Sequence, residues 1–316
     1  MTPEAKAADT GRDYMGVVLY PFDLIVIGYC LVMVAVIAAL GRPFGEYLDE
    51  LAFYAGAGAA AALIAGRLPE SRHGWRSFVR LMYPALVFGL FYRMTGGLMT
   101  LVHPSFLDYR VVAFEKALFG GDPSLAFDRG WLHPLVNDLL ALCYGSYYLI
   151  IPVFLLTVYF LRRGDIIKEY MAAVCLAFFA SYFLFFLLPV EGPRWHFAAE
   201  YVNSVEGSVF TPIVKYIIAH GAVRGGAMPS SHTAVALVSL LFCYRYFRRA
   251  AIVLTPVVLG LAAGAVWGRF HYVSDVLVGA VIGIAAYALV MRWLPARPAA
   301  APTPIETPSM VSRDVP

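Results

Sequence analysis

A chain of 316 residues that is 60% hydrophobic and 14% charged, with a mean hydropathy of +0.70, is too apolar for a water-soluble domain and reads as a polytopic membrane protein. Its net charge of +3 is too small to argue for a nucleic-acid partner. Cys30, Cys143, Cys175 and Cys243 all fall in apolar runs, at spacings that suggest neither a disulfide framework nor a metal site.

Residues 1–21 mix Lys6 and Arg12 with Glu4, Asp9 and Asp13, unlike the basic leader of a signal peptide, and read as a short tail. Eight apolar segments follow, at about 22–40, 51–66, 79–100, 135–161, 169–189, 232–247, 251–268 and 275–294. Most approach the ~20 residues that cross a hydrocarbon core. The expected fold is therefore all-α, a polytopic integral membrane protein of about eight transmembrane helices. Pro84, Pro152 and Pro256 should kink their helices. The small residues Gly56, Gly58 and Ala59–Ala62, with the pairs Gly264/Gly268 and Gly279/Gly283, suit close helix packing within the chain. Arg93 lies near a helix end, where its stem can snorkel. After Pro295 the chain turns Ala/Pro-rich. The expected organisation is a cytoplasmic tail at 1–21, N-terminal transmembrane helices at 22–100, a catalytic membrane domain at 101–295 and a disordered tail at 296–316.

Charge gives the orientation. Alternate connections carry Arg67, Arg72, Arg76 and Arg80; Arg162, Arg163 and Lys168; Arg245, Arg248 and Arg249; and Arg292 and Arg297. The others are richer in acid, with Glu46, Asp49, Glu50, Asp108, Glu115, Asp122, Asp128, Glu191, Glu200 and Glu206. The positive-inside rule then places both termini in the cytoplasm and the loop at 190–231 on the outer face of the plasma membrane.

Two stretches carry chemistry. In Gly225-Gly226-Ala227-Met228-Pro229-Ser230-Ser231-His232, the serines stand where N-caps stand, before an apolar run. That puts His232 in the first turn of a helix, whose free N–H groups favour phosphate. In Arg269-Phe270-His271-Tyr272-Val273-Ser274-Asp275, the four-residue spacing sets Asp275 on the face of His271. Asp275 should hold one ring nitrogen and leave the other unprotonated, as a nucleophile requires.

Pro229-Ser230-x-His232 followed by His271-x-x-x-Asp275 resembles the second and third signatures of the type 2 phosphatidic acid phosphatase superfamily. Gly192-Pro193-Arg194 and Leu118-Phe119-Gly120-Gly121-Asp122-Pro123 resemble the branch related to inositolphosphotransferases, such as inositol phosphorylceramide synthase. The resemblance spans roughly 105–295. It implies a six-helix phosphatase-like bundle toward the C-terminus, action on membrane lipid phosphates and no metal requirement; no cofactor motif is visible. The chain departs from the parent pattern at Leu187, Ala265 and Ser231, where the parent has lysine, arginine and glycine. These departures favour the transferase-related branch.

The chemistry also follows from the residues. Phosphoester cleavage needs an in-line nucleophile, cations on the equatorial oxygens and an acid for the leaving group. His271, oriented by Asp275, would become the phosphohistidine, and His232 would act as acid and then base. Arg194 and Arg269 would grip the phosphate, with Ser230 and Ser231 at the helix start. The expected enzyme is a lipid phosphatase or phosphotransferase that uses water or an alcohol such as inositol as acceptor. The alternatives are an inactive binding subunit or a transporter, and oligomeric state is open. His196 and His220 read as structural, Arg224 equally as a headgroup anchor or a site residue, and Tyr144, Tyr147 and Tyr148 as an interfacial aromatic belt rather than a headgroup pocket.

Overall fold

The computed structural model describes residues 12–14, 17–41, 43–68, 74–130 and 132–294. The segment expected to be a disordered tail, together with Arg72 and Arg297, lies outside them. The regular structure among the described residues is helical apart from one small ribbon, in which β1 (Arg12–Tyr14) pairs antiparallel with β2 (Val17–Leu19). That ribbon falls within the stretch expected to be a plain tail.

The long helices are α1 (Pro21–Leu40), α2 (Leu48–Arg67) and α3 (Trp75–Thr95). Next come three shorter ones, α4 (Asp108–Phe119), α5 (Pro123–Gly130) and α6 (Pro134–Gly145). The chain continues through α7 (Tyr147–Phe160), α8 (Gly164–Leu187), α9 (Pro193–His196) and α10 (Phe210–Gly221). It ends in α11 (Ser231–Tyr246), α12 (Arg248–Trp267) and α13 (Val273–Trp293).

Every one of the eight expected segments is helical, but they are not equally suited to lipid. Among the described residues five helices, α1, α2, α8, α12 and α13, are long and apolar enough to cross a membrane, and the bent pair α6–α7 makes a sixth if it is one span. Helix α11 has 16 residues, and α3 is diluted by Arg80, Arg93 and its tyrosines. The expected single span at 135–161 is broken by 42° between α6 and α7. The break falls at Gly145–Ser146, a pairing that weakens the helical ladder, and Ser146 donates to the Cys143 carbonyl at 2.6 Å. Pro84, Pro152 and Pro256 all lie inside continuous helices.

Helix α8 is the axis of the bundle. It is apolar on every side and so must be covered on every side, and 72% of its apolar window is buried. Helices α1, α3, α11 and α13 pack around it. Tyr29 of α1 stacks on Phe179 of α8 with centroids 4.4 Å apart, a contact worth about 1 kcal/mol. At the opposite end of α8 from the site, Arg80 and Asp23 form a buried ion pair completed by the Tyr83 hydroxyl, fixing α1 to α3. Breaking one side of such a pair would cost about 3–5 kcal/mol, because a buried charge would remain.

Lipid offers no hydrophobic force between helices, so close approach depends on small residues. A Cβ on Gly279 of α13 would lie 2.3 Å from the Ser230 carbonyl oxygen, and one on Gly283 would lie 2.4 Å from that of Ala234. These glycines therefore let α13 lie directly against the backbone that begins α11. Gly264 likewise admits the Leu140 carbonyl of α6. Gly264, Gly279 and Gly283 thus serve helix packing within the chain, whereas Gly268 faces the Phe270 ring. All four cysteines are free thiols, and Arg93 is exposed in the last turn of α3, as snorkelling requires.

Candidate active site

The C-terminal ends of α8 and α12 and the N-terminal ends of α11 and α13 meet at one end of the bundle. Arg162, Arg163, Arg245, Arg248, Arg249 and Arg292 lie in the connections and helix end at the other. Backbone hydrogen bonds join the three sequence signatures. Val190 N–H donates to the Gly225 carbonyl at 3.1 Å, and Ala227 N–H donates to the Val190 carbonyl at 2.9 Å. Arg194 N–H reaches the Arg269 carbonyl at 2.9 Å, and Ser230 N–H reaches the Asp275 carbonyl at 2.9 Å. Gly192 has φ +92°, and a Cβ there would lie 2.9 Å from the Phe270 carbonyl oxygen, so glycine meets both a conformational and a space requirement.

His271 sits before α13, buried. Its Nδ1 lies 2.8 Å from the Ala227 carbonyl oxygen, while Asp275 Oδ2 is at 3.5 Å. The closer partner is thus a carbonyl, where Asp275 was expected. A carbonyl only accepts, so Nδ1 carries the proton and Nε2 of the neutral ring carries the free lone pair. Asp275 Oδ2 accepts the Tyr272 N–H at 2.8 Å, capping α13 and fixing the turn that holds His271.

Ser230 is the N-cap of α11, accepting the Thr233 N–H at 3.4 Å, so His232 falls in the first turn as expected. The His232 ring lies between Tyr144, centroid 5.3 Å away, and Tyr147, at 4.1 Å. Its Nδ1 is buried without a hydrogen-bond partner. Tyr144 and Tyr147 thus pack against the imidazole, with Tyr144 buried, whereas Tyr148 is exposed. The two histidine rings lie 6.0 Å apart, centroid to centroid.

A cavity of about 30 Å³ lies between the rings, lined also by Arg194, Tyr92, Tyr144 and Glu191. That is room for a water or two. It shares Arg194, Ile218 and Phe270 with a larger chamber of about 530 Å³ under α10 and the loop before it. Burial lowers the Arg194 pKa below the usual guanidinium range, partly offset by Tyr144 and Tyr92. Among the described residues, no carboxylate forms an ion pair with Arg194. Arg194 is thus half-buried and lines the same cavity as both imidazoles.

The remaining predicted residues are placed differently. Arg269 has φ +65°, and its Nη2 donates to Asp128 Oδ1 and to the Asn203 carbonyl, both at 2.6 Å, while its guanidinium stacks 3.8 Å over Tyr201. Burial lowers its pKa, and Asp128 acts in the opposite sense. It lines the larger chamber, not the cavity between the histidines. Ser230 and Ser231 are buried and do not line that cavity either. Arg224 pairs with Glu191 at 2.6 Å.

Two buried acids were not identified as site residues. Asp108 accepts the Glu191 N–H at 2.9 Å, the Gly192 N–H at 3.0 Å and the Tyr272 hydroxyl at 3.0 Å, joining the arginine loop to the histidine turn. Glu115 accepts the Ser274 N–H at 2.6 Å at the start of α13, and burial raises its pKa above the usual carboxylate range. Asp108, Glu191 and His196 also bring one ligand atom each within 4.8 Å of one another. The Asp108 oxygens are already taken by backbone N–H groups, which leaves that trio poorly disposed toward a cation.

Two histidine-bearing helix mouths and an arginine turn thus meet at one end of the bundle. A model of the PAP2 superfamily matches residues 110–289, more than half of the chain and including Arg194, His232 and His271, and the chain belongs to that superfamily. Membership supports a phosphatase-type or phosphotransferase-type enzyme in a membrane. No curated protein and no solved structure matches the chain.

Proposed function

We propose that the chain is a phosphoryl-transfer enzyme acting on a lipid phosphate or lipid-linked phospho-headgroup through a phosphohistidine at His271. The observation that carries this reading is the convergence of His232, His271 and the unpaired Arg194 on one cavity. Nε2 of His271 attacks phosphorus as the bond to the leaving alkoxide breaks, and protonated His232 gives that oxygen its proton. The entering phosphate charge is what lets a ring between two tyrosines hold a proton. Neutral His232 then takes a proton from water or from an alcohol such as inositol, whose oxygen attacks phosphorus and frees His271. General acid–base help of this kind is worth about 10²–10⁴ in rate.

Arg194 neutralises the phosphate oxygens. The Ala227 carbonyl and Asp275 share the Nδ1 proton and stabilise the cationic ring of the intermediate. Arg269 holds the loop through Asp128 and Asn203, and supports phosphate through its remaining donors. Ser230 and Ser231 present the N-terminal turn of α11 toward the site. None of these steps calls for a metal or cofactor. The reading includes eight crossings, cytoplasmic termini, an outward-facing site, a catalytic domain from residue 101 onward and membership of the inositolphosphotransferase-related branch.

The test is release of phosphate or headgroup from a panel of lipid phosphates by purified protein in detergent, with and without inositol, read by mass spectrometry. Release that is abolished in His271→Ala is expected. A folded wild-type protein that releases nothing from any member would overturn the proposal.

A further inference from the structure

The cavity between the two histidines is completed from outside the segment that the superfamily model matches. That segment begins at residue 110, yet one wall of the cavity is Tyr92, in the last turn of α3. Its ring packs against two rings of α8, with centroids 5.9 Å from Tyr182 and 6.2 Å from Phe185. Its hydroxyl oxygen accepts the Val223 N–H at 2.9 Å. Gly96 lets the same loop sit on the end of α3, since a Cβ there would lie 3.1 Å from Val223 Cγ1. Ring and oxygen are thus both held, and the hydroxyl has a fixed place at the site end of the bundle.

A phenol donates one proton and accepts through its lone pairs. The Val223 N–H uses the oxygen as acceptor, so the hydroxyl proton points elsewhere. Among the described residues nothing accepts it. The surroundings say what it can serve. Charge in phosphoryl transfer spreads over three equatorial oxygens, and a guanidinium fork grips two. Arg194 is the one arginine or lysine lining the cavity, Glu191 as a carboxylate only accepts, and Arg269, Ser230 and Ser231 lie outside its walls. The imidazoles are committed to attack and proton transfer in the reading above, and Tyr144 is stacked on His232. Tyr92 is close enough to Arg194 to offset part of the effect of burial on its pKa. In a space of about 30 Å³, an anion that meets Arg194 and His271 is also within reach of Tyr92.

We infer that Tyr92 is a further phosphate-binding residue of the site: its hydroxyl donates to an equatorial oxygen beside the fork of Arg194. The proton stays on the phenol throughout, and the hydrogen bond strengthens as charge gathers on the phosphate oxygens. This rests on the phosphoryl-transfer reading and goes beyond it, because it gives the N-terminal helices a part in catalysis and not in anchoring alone.

Tyr92→Phe removes the hydroxyl and keeps the ring. Val223→Pro removes the N–H that Tyr92 accepts and keeps the hydroxyl. Ala222, at φ −76° and ψ 137°, already has the extended backbone that a following proline requires. The pair therefore separates a donor to phosphate from an anchor for the loop. With full-length protein in detergent, turnover is measured on phosphatidate and on p-nitrophenyl phosphate. Binding of orthovanadate, a five-coordinate mimic of transferring phosphorus, is measured by calorimetric titration. Tyr92→Phe should lower kcat about 10²-fold on both substrates, the usual effect of losing one such donor, with KM and melting temperature little changed. Orthovanadate should bind it about tenfold more weakly or worse. Val223→Pro should lose far less on both counts. Equal losses in the two variants would make Tyr92 an anchor and overturn the inference, as would a folded Tyr92→Phe protein with wild-type kcat and orthovanadate affinity. If Val223→Pro does not fold, the titration of Tyr92→Phe decides alone. If the wild type turns over no phosphoester, the enzymatic reading fails and the titration still decides. Affinity lost in Tyr92→Phe then supports the role in anion binding, and affinity that is unchanged, or absent from the wild type, refutes it.

Discussion

Gly279→Ala tests whether the contact between α11 and α13 sets the catalytic geometry. The added Cβ would lie 2.3 Å from the Ser230 carbonyl oxygen, 3.1 Å from its carbonyl carbon and 3.3 Å from its Cα. All three are backbone atoms, so no side chain can swing aside, and the helices must part by about an ångström to restore ordinary contact. Ser230 caps α11 one turn from His232, while Gly279 lies one turn beyond Asp275, which anchors the His271 turn. The parting therefore falls directly on the separation of the two histidines. Overpacking of this kind costs about 1–3 kcal/mol of stability. A 1 Å misplacement of reacting groups costs on the order of 10² in rate. The assay is turnover of a lipid phosphate in detergent beside a thermal melt, with Gly28→Ala, where nothing lies within 4 Å of the new Cβ, as control. A folded Gly279→Ala protein with wild-type turnover would refute the claim that this contact positions the site.

Arg269→Lys keeps the charge but loses the planar guanidinium whose Nη2 joins Asp128 to the Asn203 carbonyl; turnover should fall about tenfold or more while the protein remains folded, and unchanged turnover would remove Arg269 from the site. Glu115 has its folded pKa raised by burial, so its contribution to stability is fully present below the ordinary carboxylate pKa and is lost as pH rises through the folded value. Glu115→Gln should therefore flatten the fall in melting temperature between mildly acidic and neutral pH, and an unaltered pH profile would contradict that assignment. Ser204 is exposed in the loop before α10, so Ser204→Cys should react with a membrane-impermeant thiol reagent in intact cells; reaction only after permeabilisation would reverse the proposed orientation.

What could be read in the sequence was local. The Ser230 cap, the position of His232 and the pairing of small residues with helix faces follow from neighbours a few residues apart, and the structure has them. The support of the site was not legible, because its parts are far apart in the chain. Asp108 reaches Gly192 across 84 residues, Arg269 reaches Asp128 across 141, and Glu115 reaches Ser274 across 159. In the sequence these acids look like ordinary charges in an outer loop. The tyrosines beside His232 were legible as aromatic and interfacial, but only the break at Gly145–Ser146, hidden in a continuous apolar run, turns Tyr144 and Tyr147 toward the imidazole. The Ala227 carbonyl, which fixes the His271 tautomer, is a backbone atom and carries no sequence signal at all.

The most direct test of the central claim is to locate the covalent intermediate. Purified protein is exposed briefly to a phosphorus-labelled substrate with an activated leaving group, quenched in base and mapped by mass spectrometry. The account predicts acid-labile, base-stable label on His271, absent from His271→Ala. In His232→Ala the same label should accumulate, because attack by water or alcohol lacks its base. Label that persists in His271→Ala, or that maps to His232, would contradict the assignment.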